Sequence, residues 1–151
     1  GAIDTGYSSN VLFRRSAVGA LRFEPSLGRT GGEDTFFFSQ LHVGGARLGF
    51  CPAAIVHEPT PPERATLPWL LRRAFRSGQT HARVLRAHGQ GALAIAAPAL
   101  AKALYCAFGA LSRVLSPVGV RRFMIRGALH LGVVAKAFGA ADIELYNSAP
   151  A

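Results

Sequence analysis

The sequence predicts an α/β layer in the first half of the chain, followed by an α-helical tail. Residues 8–15 have a short apolar centre bounded by polar residues, which is typical of a buried strand, and residues 47–56 resemble one or two short strands. Between them, residues 33–43 combine bulky apolar residues with an acidic start that suits the positive end of a helix dipole. Residues 91–111 are almost wholly apolar and, as a helix, long enough to cross the core of a bilayer.

Breaks in the pattern separate these elements. Residues 24–32 are rich in proline, glycine and serine and predict a loop, and a glycine pair follows the predicted helix and ends it. Residues 59–63 (PTPPE) can continue neither a strand nor a helix, so they mark a boundary. Thr66 followed by Pro68 opens a further helix, because proline is tolerated in the first helical turn.

The formal charge of +9 lies entirely in the second half of the chain. Residues 1–60 carry five basic and five acidic side chains, whereas residues 61–151 carry twelve basic and three acidic ones. Positive charge beside long apolar stretches is typical of proteins at an anionic membrane surface. Nucleic-acid binding usually interleaves such charge with exposed aromatic residues. We therefore expect a membrane surface as a partner and no nucleic acid.

The helix that opens at Thr66 is amphipathic and cationic. Successive helical residues step by about 100°, so one face carries four arginines, Arg72, Arg76, Arg83 and Arg86. Two interpretations remain open for this face. It is either solvated, or it binds phosphate groups or anionic lipid.

The two long apolar stretches, residues 91–111 and 127–141, have three possible arrangements. They could span the membrane as a pair, lie at its interface, or form an alanine-rich hairpin packed on the protein itself. A spanning pair would carry the arginines between them to the far side, against the tendency of basic loops to remain cytoplasmic. We therefore favour a hairpin embedded at the cytoplasmic face of the cell membrane.

The cysteines and the start of the chain indicate the redox compartment of the protein and whether the chain is a fragment. Cys51 and Cys106 have no CxxC spacing, so we expect small buried hydrophobes in a reducing compartment. No secretory leader is recognisable at the start. The chain begins with Gly1 and its only methionine is Met124, from which we expect a fragment or a processed piece.

The tetrapeptide Gly-Gly-Glu-Asp at residues 31–34 is the most informative candidate for chemistry. It lies at a loop-to-helix junction, where backbone N–H groups and the helix dipole can hold a carboxylate ionised. An ionised, partly enclosed carboxylate can act as a general base toward a hydroxyl group. The other interpretation is a simple N-terminal cap. His57, after the second predicted strand, is either structural or a single ligand of a divalent metal.

Four motifs follow one another along residues 4–78: SSNVLFRR from Ser8, GGED from Gly31, a predicted strand that ends at His57, and WLLRRAFRSG from Trp69. In this order they resemble the second half of family 2 glycosyltransferases of the GT-A type. The likeness is strongest to bacterial enzymes that build exopolysaccharides and other cell-surface glycans. The resemblance implies the C-terminal, acceptor half of a nucleotide-diphospho-sugar transferase domain, with the nucleotide-binding half and its Asp-x-Asp motif outside this chain.

The resemblance also implies a role for each matching residue. Asp34 would be the catalytic base of an inverting transfer, with Glu33 beside it in the acceptor site. His57 would complete a site for a divalent metal, Mg²⁺ or Mn²⁺, or for the diphosphate. Guanidinium groups pair well with phosphate oxygens. Arg72, Arg73 and Arg76 would therefore approach the nucleotide diphosphate or a lipid-linked acceptor.

The sequence thus predicts three regions: residues 1–63 as half of a transferase domain, residues 64–90 as a basic amphipathic helix, and residues 91–151 as a membrane-associated hairpin. The expected function is transfer of a sugar from a nucleotide-sugar donor to a glycan or lipid-linked acceptor in cell-surface polysaccharide synthesis, with the fragment inactive by itself. Two alternatives remain, a non-catalytic membrane-binding module and a nucleic-acid binder.

Overall fold

The computed structural model describes residues 1–145, within which the chain divides into two units, Gly1–Pro59 and Thr60–Leu145. Residues 146–151, the end of the predicted hairpin region, lie outside the described residues. The elements of the first unit are β1 (Ala2–Ile3), α1 (Arg15–Val18), α2 (Glu33–Val43) and β2 (Leu48–Gly49). The second unit is built from α3 (Leu67–Ala87), α4 (Ala92–Ser112) and α5 (Pro117–Ala137), each 21 residues long.

The expected α/β layer of a GT-A domain is wrong, because the described residues are mostly helical. Their sheet consists of β1 and β2 alone, paired antiparallel over two residues, with Ala2 opposite Gly49. Residues 8–15 form a 3₁₀ turn and the start of α1 instead of a buried strand, and Leu12 is 98% exposed. A lone strand leaves its N–H and C=O groups unpaired, and the sheet within residues 1–145 is too small to pair with it.

Helix α2 begins and ends where the sequence predicts. Gly31 and Gly32 precede it with φ angles of 77° and 89°, in the left-handed region that glycine enters without steric cost. At the other end, the N–H of Gly44 donates to the carbonyl of Gln40 at 2.9 Å. The helix supplies a cluster of buried hydrophobic residues in the first unit, Phe37, Phe38 and Leu41.

In the second unit, α5 packs along both α3 and α4, whereas α3 and α4 have few contacts with each other. The side chains at the centre of this core are mostly small: Ala82, Ile95, Ala96, Ala99, Val133 and Ala137. Interaxial distance depends on the side chains at the crossing, so these residues let the helix axes approach closely. A Cβ atom at Gly78 would overlap the carbonyl oxygen of Leu129, which places the backbones of α3 and α5 in direct contact.

Helix α3 confirms the predicted start, with Thr66 as its N-terminal cap residue and Pro68 in the first turn. Its cationic face is not uniformly solvated. Arg76 is buried, and Arg83 forms an ion pair with Asp142. Buried Gln79 donates to the carbonyl of Ala141 at 2.7 Å and accepts from the N–H of Ile143 at 3.1 Å. The polar face of α3 therefore holds the segment that follows α5.

Helix α4 is the one helix in the described part of the chain that is long and apolar enough to cross a membrane, judged by length and composition. Only 22% of its most apolar stretch is buried. One side contributes Ile95, Ala99 and Cys106 to the interior, whereas the other leaves large apolar side chains such as Leu104 and Phe108 more than half exposed. Helix α4 therefore packs against α5 on one side and exposes apolar side chains on the other.

Candidate functional site

The carboxylates of Glu33 and Asp34 lie in the first turn of α2. The sequence of the turn explains this position, because Gly31 and Gly32 take backbone angles that reverse the chain just before the helix starts. Both acidic side chains are half-buried. At this end of a helix the unpaired N–H groups and the dipole favour negative charge. Both carboxylates therefore lie at the positive end of the α2 dipole.

The two oxygens of the Asp34 carboxylate have different surroundings. The Oδ2 atom accepts a hydrogen bond from the backbone N–H of Ser8 at 3.0 Å. The Oδ1 atom is buried and, like Oε2 of Glu33, has no hydrogen-bond partner among residues 1–145. In the same part of the chain, no basic side chain forms an ion pair with Asp34. One oxygen is thus held by a hydrogen bond, and the other is buried without a partner among residues 1–145.

Aromatic packing supports the helix that carries these carboxylates. Phe37, one turn after Glu33, is 2% exposed and stacks on Phe23 with ring centroids 4.2 Å apart. Phe38 is equally buried, and a Cβ atom at Gly6 would lie 3.2 Å from its ring. Close packing of this kind leaves little room for the helix to shift. This aromatic packing therefore holds in place the first turn of α2, which carries Glu33 and Asp34.

The 3₁₀ turn Ser8–Asn10 connects the acidic turn to a second segment of the first unit. Ser8 holds Asp34 as described, and the side-chain amide of Asn10 donates to the carbonyl of Ala54 at 2.8 Å. The segment that contains Ala54 runs on to His57 three residues later. Sequence reasoning missed the roles of Ser8 and Asn10, because their motif predicted a strand whose side chains would pack in a core.

His57 does not follow a strand. Residues 50–59 contain neither helix nor strand, and the imidazole of His57 is exposed. Pro52 interrupts the segment directly after β2, and proline supplies no N–H group for a sheet. Among residues 1–145, no three histidine, cysteine or acidic side chains are close enough together to hold a metal ion. These residues by themselves do not form a divalent-metal site.

The three arginines of the predicted phosphate contact lie on α3, in the second unit. Arg72 and Arg73 are exposed, and the guanidinium of Arg73 lies 5.2 Å from the ring centroid of Trp69. Arg76 is buried at 9% exposure within the helical unit. The structure therefore separates Arg76 from the two arginines that are free to reach a ligand at the surface.

The comparison with known proteins adds one relative to this geometry. The chain is 46% identical over 152 residues to the succinoglycan biosynthesis protein ExoM of Rhizobium meliloti (strain 1021). It is similar to an exopolysaccharide-synthesis protein. The match covers 98% of this chain and 49% of ExoM, so the chain spans about half the length of this relative. No protein-family model and no solved structure matches the chain.

Proposed function

We propose that this chain is part of a family 2 glycosyltransferase that acts in exopolysaccharide synthesis. It would transfer a sugar from a nucleotide-sugar donor to a glycan or lipid-linked acceptor. The observation that carries the proposal is the Asp34 carboxylate, with one oxygen held by Ser8 and the other buried and unpartnered within the described residues. The 46% identity to ExoM, which is named for succinoglycan biosynthesis, supports the same assignment.

In the proposed reaction, Asp34 takes the proton from an acceptor hydroxyl as that oxygen attacks the anomeric carbon. The new C–O bond forms as the bond to the nucleoside diphosphate breaks, the leaving group departs with the electron pair, and the configuration inverts. Ser8 fixes the orientation of the carboxylate through its N–H group. The carboxylate lies at the positive end of the α2 dipole.

The remaining expected contacts are part of the proposal. Arg72 and Arg73 are exposed and could pair with phosphate oxygens of the donor or of a lipid-linked acceptor. A divalent metal in the complete protein would be held by His57 together with ligands from outside residues 1–145. No step of the reaction above depends on that metal.

A chimera tests the proposal in cells. This chain replaces the matching half of ExoM in a Rhizobium meliloti strain that lacks ExoM, and succinoglycan in the culture medium is measured. We expect the chimera to restore production, because 46% identity across the whole replaced region preserves its fold and site. Intact ExoM serves as the positive control. A chimera that accumulates to the same level as ExoM without any succinoglycan would contradict the proposal.

We also propose that the helical unit attaches the protein to the cytoplasmic face of the cell membrane. The support is the exposed apolar side of α4, on which Leu93, Phe108 and Leu111 are each more than 70% exposed. Four exposed arginines follow α4 in the sequence, between Ser112 and the middle of α5, at positions 113, 121, 122 and 126. Exposed apolar area next to positive charge is typical of a surface that binds anionic lipid.

Vesicle flotation measures this attachment. We expect Phe108→Asp to weaken binding of the purified chain to phosphatidylglycerol-containing vesicles by about tenfold or more, since burying a charge in the lipid interface is costly. The matched control is Val43→Asp in the first unit, where the native side chain is 65% exposed. Equal losses in both variants, or no loss in Phe108→Asp, would show that α4 is not the attached surface.

A further inference from the structure

A cavity of about 180 Å³ opens between the three long helices of the second unit. Its walls are largely apolar and include Leu85 from α3, Ile95 from α4 and Val133 from α5. Three basic side chains, one from each helix, line the same cavity: His81, Lys102 and His130. Below, this cavity with its three basic residues is called the basic groove.

No acidic residue lines the basic groove within the described part of the chain. Asp142, an acidic residue of the same unit, pairs instead with Arg83 and Lys136. The side chains of the groove residues themselves form no hydrogen bond and no ion pair among residues 1–145. Three cationic or protonatable groups therefore line one apolar cavity without a negative partner from residues 1–145.

The pKa values of both groove histidines are lowered, first by burial and then by neighbouring positive charges. Partial loss of hydration, and then the positive charge of Lys102, lower the pKa of His81 below its usual value. Loss of hydration comes first for His130 as well, followed by the charges of Lys102, Arg126 and His81, and all four lower its pKa. An anion in the groove would reverse the electrostatic part of both shifts, because an opposite charge favours the protonated form.

We propose that the basic groove binds a phosphate group, with the apolar walls taking an attached aliphatic chain. Lys102 and the two histidines would donate hydrogen bonds to phosphate oxygens, and Ile95 and Val133 would contact the chain. An anionic lipid fits this combination better than free phosphate, because much of the wall is apolar and α4 leaves its outer side exposed. The site lies in the helical unit and does not depend on the role of Asp34.

The test titrates the purified chain, in a maltoside detergent, with dihexanoyl phosphatidylglycerol and separately with sodium phosphate. The readout is the NMR shift of the imidazole protons, each assigned by substitution of its histidine. We expect both probes to shift His81 and His130 but not His42, with tighter binding of the lipid. Lys102→Gln should weaken binding by about tenfold, as expected for loss of a charge-assisted hydrogen bond.

Arg47→Gln is the matched control, since it removes the same charge from an exposed position of the first unit, outside both the basic groove and the proposed membrane surface. It should bind both probes as the unmodified chain does. A response to phosphate without a stronger response to the lipid would still support the phosphate site and would assign it to a free phosphate. The proposal is overturned if neither probe shifts His81 and His130, or if Arg47→Gln weakens binding as much as Lys102→Gln.

Binding should also depend on pH in one direction. The pKa values of His81 and His130 are lowered, so both imidazoles are largely neutral near pH 8 and become protonated only below their ordinary range of about 6.5. The phosphodiester of phosphatidylglycerol keeps its charge throughout. Affinity for this lipid should therefore rise as the pH falls below about 6.5 and change little above it. The double variant His81→Gln/His130→Gln should lose this rise, and an unchanged pH profile would contradict the proposed contacts.

Discussion

Asp34→Asn should lower sugar transfer by about 10²- to 10⁴-fold in the chimera described above, which is the usual contribution of a positioned general base. The asparagine can still accept the hydrogen bond from the N–H of Ser8 through its side-chain oxygen. The geometry of the turn is therefore preserved while the ability to take a proton is lost. The measurement is the rate of succinoglycan production, or of transfer from labelled nucleotide sugar in isolated membranes.

Two controls make this result specific. Asp4→Asn removes the same charge from an exposed position of the first unit and should leave the rate unchanged. Glu33→Gln alters the neighbouring carboxylate and should have a smaller effect than Asp34→Asn. A larger loss from Glu33→Gln would move the base to Glu33. Full activity of Asp34→Asn would remove the catalytic assignment and leave the non-catalytic membrane-binding module as the better description.

Gly78→Ala should destabilise the helical unit by about 3 kcal/mol or more, which is at or above the usual cost of inserting a methyl group into a packed core. The added Cβ atom would overlap the carbonyl oxygen of Leu129 and lie 2.9 Å from the backbone nitrogen of Val133. Both obstacles are backbone atoms of α5, so no side-chain rotation can relieve them. The measurement is the midpoint of denaturant unfolding, followed by the helical circular dichroism signal.

Gly127→Ala is the matched control on α5. The nearest atom to its added Cβ would be Cβ of Cys106 at 3.5 Å, an ordinary contact. This substitution should stabilise the protein by about 0.5–1 kcal/mol, because alanine loses less conformational freedom than glycine on joining a helix. Equal unfolding midpoints for the two variants would show that α3 and α5 do not approach as closely at Gly78 as the structure places them.

Local signals in the sequence predicted local features well. The limits of α2 follow from the glycines on both sides of it and from the acidic first turn, all within a few residues of each other. The start of α3 follows from Thr66 and Pro68 in the same way. The strand predicted for residues 8–15 was wrong because a strand depends on a partner elsewhere in the chain. Apolar residues alone do not supply that partner.

The candidate site likewise has parts that local sequence signals predict and parts that depend on contacts between distant residues. Glu33 and Asp34 could be selected from the sequence because they start a predicted helix, and that signal depends only on neighbouring residues. The contact from the N–H of Ser8 joins residues 26 positions apart, and no spacing rule predicts it. The basic groove is a stronger case, because His81, Lys102 and His130 belong to three different helices. Their convergence depends on which faces of α3, α4 and α5 meet.

The sequence by itself determined where the charge lies, which stretches are helical in the second half and where the acidic turn of α2 begins, because each depends on residue type and short-range periodicity. Only the tertiary structure decided that Arg76 and Gln79 face inward and that α4 keeps an exposed apolar side. A helical pattern in the sequence shows which residues share a face, but not which helix packs against that face. The backbone contact at Gly78 selects the partner, since only a residue without a side chain allows it.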